Sequence, residues 1–419
     1  MKITRFYPGW TVLAGSFISA AIAIGFTSYI YGMFTVPVTE ELGLSRANYN
    51  NGFIALSVGI ALFSPFTGRL LDQFSPRLLV AFAGTLFGCS IATISILKSP
   101  IMMLLLLLLP IAAGVSTCGA LGANTITVKW FQSRRGLALG ILALSTSVGG
   151  LLSQPFTGWL ITNLGWRHTL LIIGILCFFV FLFLSMFLIK EKPDPSIYKY
   201  EDEFDSNVDS KVSAKESTAE PRAITEPTFS YVDILRTKNF WLLTCAIGIF
   251  FGVDQSILVS QVPYFLDCGY TLEIAATLVS IKTLSAIGGK LIVGFLADKV
   301  DLRSLFTAVA LCNISLMSIY ILQPSFWILV LFLSLLGVAV GGVFPVWTTS
   351  VAWLFGSRSY GTAMGMTAIG TQIFTMLNIR FVGEVYDRTG TYKIAFVVFI
   401  GMVAIAILLF RSITPPAKN

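Results

Sequence analysis

The chain has 419 residues, 55% of them hydrophobic and only 12% charged, with a mean hydropathy of +0.82. Soluble globular proteins carry about 25% charged residues, so this balance excludes an ordinary soluble domain and points to a polytopic membrane protein. The seven surplus positive charges are scattered singly between apolar runs, which argues against nucleic acid as a partner and leaves the lipid bilayer.

A membrane-spanning helix needs about 20 apolar residues at a rise of about 1.5 Å each. Twelve such runs follow in order: Trp10–Thr35, Asn51–Leu70, Leu78–Leu97, Met102–Ile126, Gly136–Leu160, Thr169–Ile189, Phe240–Phe265, Ile274–Leu296, Ser304–Leu322, Phe326–Trp353, Gly361–Val382 and Lys393–Phe410. The expected fold is therefore all-α, with twelve transmembrane helices. The first run is too long for a signal peptide and lacks a small-residue cleavage site, so it reads as a spanning helix. Pro110 and Pro155 are expected to kink their helices, because proline removes a backbone donor.

Between the sixth and seventh runs lies a polar insert, 190–238. It holds 11 of the 21 acidic residues. Its Pro, Ser, Glu, Lys and Asp content cannot bury enough surface to offset ordering entropy, so it reads as a mostly disordered linker. The expected organisation is a six-helix bundle at 1–189, the linker, and a second six-helix bundle at 239–419. Arg77, Lys129, Arg134 and Arg135, then Lys299, Arg303 and Arg358, fall in connections on one side of the chain, with Lys2 and Arg5. The alternate connections carry fewer positive charges. The positive-inside rule places both termini and the insert in the cytoplasm of a plasma or bacterial inner membrane.

The two halves echo one another. Gly68-Arg69-Leu70-Leu71-Asp72 after the second run matches Gly294-Phe295-Leu296-Ala297-Asp298 after the eighth. Arg134-Arg135-Gly136, ending Ala138-Leu139-Gly140, matches Arg358-Ser359-Tyr360-Gly361, ending Ala363-Met364-Gly365. Paired six-helix repeats are expected of a carrier that rocks about a midplane site. The G-x-L-x-D loops resemble the signature of the major facilitator superfamily, over the whole chain outside the insert. Gly9-Trp10 through Ile18, Asn124 with Lys129-Trp130-Phe131, and Gly383 with Asp387, Gly390, Tyr392 and Phe396 narrow the resemblance to monocarboxylate transporters and oxalate:formate antiporters. The resemblance implies two pseudo-symmetric six-helix bundles that work by alternating access.

An ionisable residue at mid-helix costs about 2.5–3.5 kcal/mol on insertion scales, so it has a partner or a job. Outside the insert, Asp254 in the seventh run is the one acid far from a connection. Lys282 and Lys290 lie within the eighth run, and Arg380 towards the end of the eleventh. Asp254 and Lys282 both sit ~15 Å deep at 1.5 Å per residue. They could form a static ion pair. Alternatively, Lys282 and Lys290 attract a substrate anion while Asp254 carries a proton. The resemblance implies that Lys290, four residues before Gly294, takes the place of a substrate-binding arginine. The helix-11 lysine of the oxalate transporter falls at Thr367, and the helix-1 lysine of the monocarboxylate transporters falls near Gly32.

Tyr29 and Tyr31 line either a substrate cavity or ordinary helix packing, and Asn124 bonds either a substrate or a neighbouring helix. Arg380 and Glu384 have the spacing of a helical pair, serving either the interface or an outer gate. Asp72 is expected to pair with Arg135 or Arg77, with Asp298 doing the same in the second half. Gly68 and Gly294 are expected to permit close helix approach. Alternatively, these loop charges only fix orientation. The six cysteines show no metal-binding spacing, and His168 is the only histidine. No phosphate-binding GxxxxGK[ST] loop occurs, so no cofactor, metal or ATP drive is expected.

The reading is a non-enzymatic secondary transporter of a small organic anion, monocarboxylate-like, by proton symport or anion exchange. Efflux of amphiphilic or drug-like compounds by proton antiport is the alternative within the class. A non-transporting membrane sensor is the alternative outside it.

Overall fold

In a computed structural model the described residues are 7–131, 135–191, 231–297 and 299–414, except for the side chains at 72, 135, 136, 231, 357, 358 and 361. Among them there is no strand. The apolar runs form helices α1 (Gly9–Leu42), α2 (Arg46–Gln73), α3 (Pro76–Ile94) and α4 (Pro100–Trp130). The next helical stretch, Arg135–Phe187, turns at Gly165, whose φ of 77° is open to glycine without strain; it divides into α5, 135–164, and α6, 166–187. After the insert come α7 (Lys238–Asp267), α8 (Leu272–Ala297) and α9 (Leu302–Leu322). Phe326–Thr389 turns in the same way at Gly356, φ 68°, into α10, 326–355, and α11, 357–389. α12 (Lys393–Arg411) ends the described helices.

Ten segments are long and apolar enough to cross a membrane. One of them, Leu137–Phe187, contains both α5 and α6; adding α11 makes twelve helices among the described residues. Each crosses once, so the connections alternate between the end where Tyr7 and Thr414 lie and the opposite, distal end. Proline breaks less than expected. Pro110 falls in a π-turn, Leu107–Ile111, but helical geometry continues through Pro155. The breaks fall at glycines, where the chain must turn with positive φ.

Most of the expected insert, 192–230, lies outside the described residues. Its last part, Tyr231–Arg236, is a short helix with Ile234 fully buried. At the end with Tyr7 and Thr414, Ser75 Oγ donates to Glu191 at 3.3 Å, Lys129 Nζ to the Leu71 carbonyl at 2.8 Å and Arg303 to the Ile413 carbonyl.

Helices from before and after the insert meet along a seam. α5 packs on α8, α2 on α11, and the middle of α1 on α7. The seam is tight at the distal end. A Cβ on Gly383 of α11 would lie 2.6 Å from Ala47 Cα of α2, and one on Gly32 of α1 would lie 2.4 Å from the Val259 carbonyl oxygen of α7. Towards the other end the same helices separate. Gly68, Gly140, Gly294 and Gly365 have no atom within 4 Å of where a Cβ would stand. The expectation that Gly68 and Gly294 mediate close helix approach is therefore corrected: they face open space in this conformation.

Candidate functional site

The seam carries two polar arrangements, one near the membrane centre and one at the distal end. The central one begins with a break in α1. After Ile24 the helix loosens into a π-turn at Gly25–Tyr29 and a 3-10 turn at Tyr31–Phe34. Backbone carbonyls freed in a bilayer must find donors inside the protein. α5 supplies them: Ser153 Oγ donates to the Gly25 carbonyl at 2.9 Å, and Gln154 Nε2 to the Tyr29 carbonyl at 3.3 Å. Gln154, fully buried, also accepts from Ser280 of α8 at 3.4 Å. The Tyr29 ring lies against Gly150.

The two lysines of α8 reach opposite sides of this belt. Lys290 Nζ crosses to α5, donating to Thr146 Oγ1 at 2.8 Å and to the Ala143 carbonyl at 3.2 Å. Lys282 is 3% exposed and donates to Gln261 Oε1 of α7 at 2.5 Å. Asp254 lies on the same face of α7 two turns away from Gln261. It is half-buried and within electrostatic range of Lys282. The static Asp254–Lys282 ion pair is corrected, because Gln261 intercepts the ammonium and no such pair within 4 Å occurs among the described residues.

At the distal end Arg46, the first residue of α2, gathers the partners that close the seam. Its guanidinium meets Asp267 of α7 in a bidentate pair at 2.9 and 3.0 Å, donates to Tyr392 Oη at 2.7 Å, and lies 3.7 Å above the Tyr386 ring. Asp387 of α11 caps the N-terminus of α2 from across the seam, accepting the Arg46 and Ala47 N–H groups at 2.8 and 2.9 Å. Those groups are free at any helix start and carry the positive end of its dipole. Arg380 pairs with Glu384 and also reaches α2, at Asn51 Oδ1 (3.0 Å) and the Ala47 carbonyl (3.2 Å). Asn50 donates to the Ile379 carbonyl at 3.1 Å. Tyr392 lies in the connection before α12, where burial pushes its hydroxyl up against the opposing pull of Arg46. It therefore stays protonated at ordinary pH.

The remaining residues singled out in the sequence land in different places. Tyr31 joins the distal seal: it and Tyr49 exchange hydroxyl-to-carbonyl bonds at 2.6 and 2.8 Å, beside Phe53. Asn124 is exposed, with no hydrogen bond among the described residues. Arg77 is exposed; the side chains of Asp72 and Arg135, and all of Asp298, lie outside the described residues. Thr367 is fully buried and takes the Trp347 indole N–H at 3.2 Å. Arg46, Asp267, Gln154, Thr146 and Gln261 were not singled out, and Asp387 entered only through the family resemblance, with no role assigned to it. The signal within reach was the spacing of Gln261, seven residues from Asp254 and so on its face.

Twelve helices among the described residues, a seam sealed at one end and separated at the other, and two lysines deep within α8, one of which crosses the seam, define a membrane carrier. The comparisons with known proteins agree. The model of the Major Facilitator Superfamily matches residues 16–373 and 269–419, and the chain belongs to that family of membrane transporters. It is 25% identical to the oxalate:formate antiporter of Oxalobacter formigenes, over 80% of this chain and 75% of that protein. It is 24% identical to monocarboxylate transporter 13 of Rattus norvegicus, over 93% and 85%. Its fold superposes on an inward-facing, unoccupied bacterial homolog of the human lysosomal transporter Spinster with a TM-score of 0.71 at 16% identity, covering 97% and 96% of the two chains.

Proposed function

We propose that this transporter moves a small organic anion, by proton symport or by exchange, between two six-helix bundles at 1–189 and 239–419 joined by the 190–238 linker. The observation that carries the reading is the pair of lysines within α8, Lys282 buried and Lys290 half-buried, neither of them in an ion pair within 4 Å with a described acid. A buried ammonium without a contacting counter-charge is costly in hydrocarbon, and an anionic substrate supplies what it lacks. The relatives named for oxalate, formate and monocarboxylates support the same class.

In this reading Lys290 is the main substrate contact, with Tyr29, Asn124 and Lys282 around the path. Asp254 is the proton carrier. Arg380, Glu384, Arg46, Asp267 and Asp387 form the outer gate, and Asp72, Arg77, Arg135, Asp298, Gly68 and Gly294 serve the inner one. The termini and linker are cytoplasmic and the membrane is the plasma membrane, so the conformation described is inward-open.

A cavity of about 310 Å³ favours a second reading, export of an amphiphile. Apolar side chains such as Phe34, Met103, Leu107 and Leu170 dominate its walls. The two readings separate in proteoliposomes. Labelled formate, oxalate, acetate, lactate and one lipophilic cation are offered with and without an inward proton gradient. Carboxylate uptake that is lost in Lys290→Ala supports the anion reading; transport of the cation alone refutes it.

A further inference from the structure

We infer that Lys282 and Gln261 form a second anion site, separate from Lys290 and on its distal side, that holds one carboxylate group. The inference rests on the anion reading above only in taking Lys290 as the first site.

The argument starts from donors. Lys282 is an ammonium with three N–H groups and no acceptor, so the Gln261 atom facing it must be the amide oxygen. That contact, 2.5 Å, fixes which way round the amide lies. It turns the Gln261 NH2 group away from the lysine, where it has no partner among the described residues although Gln261 is only 1% exposed. The lysine uses one donor on Gln261, and its other N–H groups have no hydrogen-bond partner among the described residues. Two buried side chains therefore present donors with no hydrogen-bond acceptor among the described residues, and the nearest acid, Asp254, stands within electrostatic range of Lys282 but not within 4 Å of it.

The great majority of buried polar groups in proteins are hydrogen-bonded, and an exception that stands beside a buried ammonium asks for a ligand or another explanation. An amide NH2 and an ammonium side by side suit the two oxygens of a carboxylate, with charge-assisted bonds to both. A cation is repelled by the lysine. A neutral amphiphile leaves the free donors without an acceptor.

The place of the pair separates it from Lys290. Lys282 lies ten residues into α8 from the distal end, about 15 Å deep, and Lys290 eight residues beyond, about 12 Å further along the axis. Lys290 points to Ala143 and Thr146 of α5, whereas Lys282 points to α7. A small carboxylate on one ammonium does not displace the partners of the other. Along α8 the Lys282 site stands at a depth between the Lys290 site and the distal end that Arg46 seals.

The test uses the full-length chain in detergent and sodium trifluoroacetate as the carboxylate probe, read by fluorine NMR line broadening, with formate as competitor. The wild type is expected to bind two equivalents. Lys282→Met and Gln261→Leu each lose one, Lys290→Met loses the other, and Lys282→Arg keeps both. The equivalent that survives in Lys282→Met also reports that this variant is folded. If the wild type binds one equivalent, lost in Lys290→Met and untouched by Lys282→Met, this inference is overturned and the anion reading stands. If either lysine variant abolishes a single equivalent, the two lysines share one site and the inference is again overturned. If the wild type binds neither anion, both readings fall.

Discussion

Replacing Asp387 by asparagine should open the distal seal. The carboxylate accepts two backbone N–H groups at the start of α2, at 2.8 and 2.9 Å, and it does so from α11, so both bonds exist only while the seal is shut. A hydrogen bond to a charged group is worth about 1.5–3 kcal/mol. Asparagine keeps one accepting oxygen but turns its NH2 against the other N–H group, and it removes the charge that the helix dipole favours. Asp387 is exposed, so screening reduces the loss, and about 1–2 kcal/mol is a fair magnitude. That is a factor of about 5–30 in the balance between closed and open states. The assay is the rate at which a hydrophilic maleimide labels Ile379→Cys, placed at a fully buried seal position, in a background without the six native cysteines. Detergent solution makes both ends of the molecule accessible to the reagent. Labelling should rise about 5–30-fold with Asp387→Asn. An unchanged rate in a monodisperse protein would show that packing alone holds the seal, and the gating assignment of Asp387 would be abandoned.

Three further outcomes are expected. Gly383→Val brings a side chain onto Ala47 Cα, where even a Cβ would stand at 2.6 Å; overpacking of about 1–3 kcal/mol should open the same seal, read as faster maleimide labelling of the Ile379→Cys site. Thr146→Val removes the 2.8 Å acceptor that holds Lys290 on α5; freed for substrate, Lys290 should bind it about 3–10-fold more tightly, from about 0.5–1.5 kcal/mol per hydrogen bond, measured as a lower KM for carboxylate uptake. Thr367→Lys puts an ammonium into a fully buried position beside Trp347; it should lower the unfolding temperature in detergent and leave oxalate uptake no higher, because nothing there is built to pair the charge.

The twelve helices were legible because hydrocarbon thickness sets run length and composition almost alone. Lys282, Lys290 and Asp254 were legible for the same reason: a charge deep in an apolar run is conspicuous. What depth could not reveal is direction. Asp254 and Lys282 sit at similar depths, yet a neutral side chain one helix away, Gln261, takes the ammonium. The seal was hidden for a different reason. Arg46 looks like an ordinary connection charge, and its partners Asp267 and Asp387 stand 221 and 341 residues away. Nothing local distinguishes such a residue from one that only orients the chain. Proline misled because a bilayer tolerates it when the freed carbonyl finds another donor, so Pro155 sits in a continuous helix while Gly165 makes the turn.

The two polar arrangements suggest how binding and rocking are linked. At the distal end the cross-seam bonds are ionic and redundant: Arg46 reaches Asp267 and Tyr392, while Asp387 and Arg380 grip the same first turn of α2. At the centre the cross-seam bond from Lys290 is a single ammonium on a hydroxyl and a carbonyl of α5. A ligand shifts an equilibrium only by its differential affinity for the two states. A carboxylate outcompetes a threonine hydroxyl for an ammonium, because charge-assisted bonds are the stronger kind. Taking Lys290 from Thr146 therefore loosens α8 from α5 at the point where the seam already separates, without touching the distal lock. The substrate that satisfies the lysine is then also the agent that releases the contact. Thr146→Val separates these effects: it should weaken the dependence of the conformational balance on substrate while strengthening binding itself.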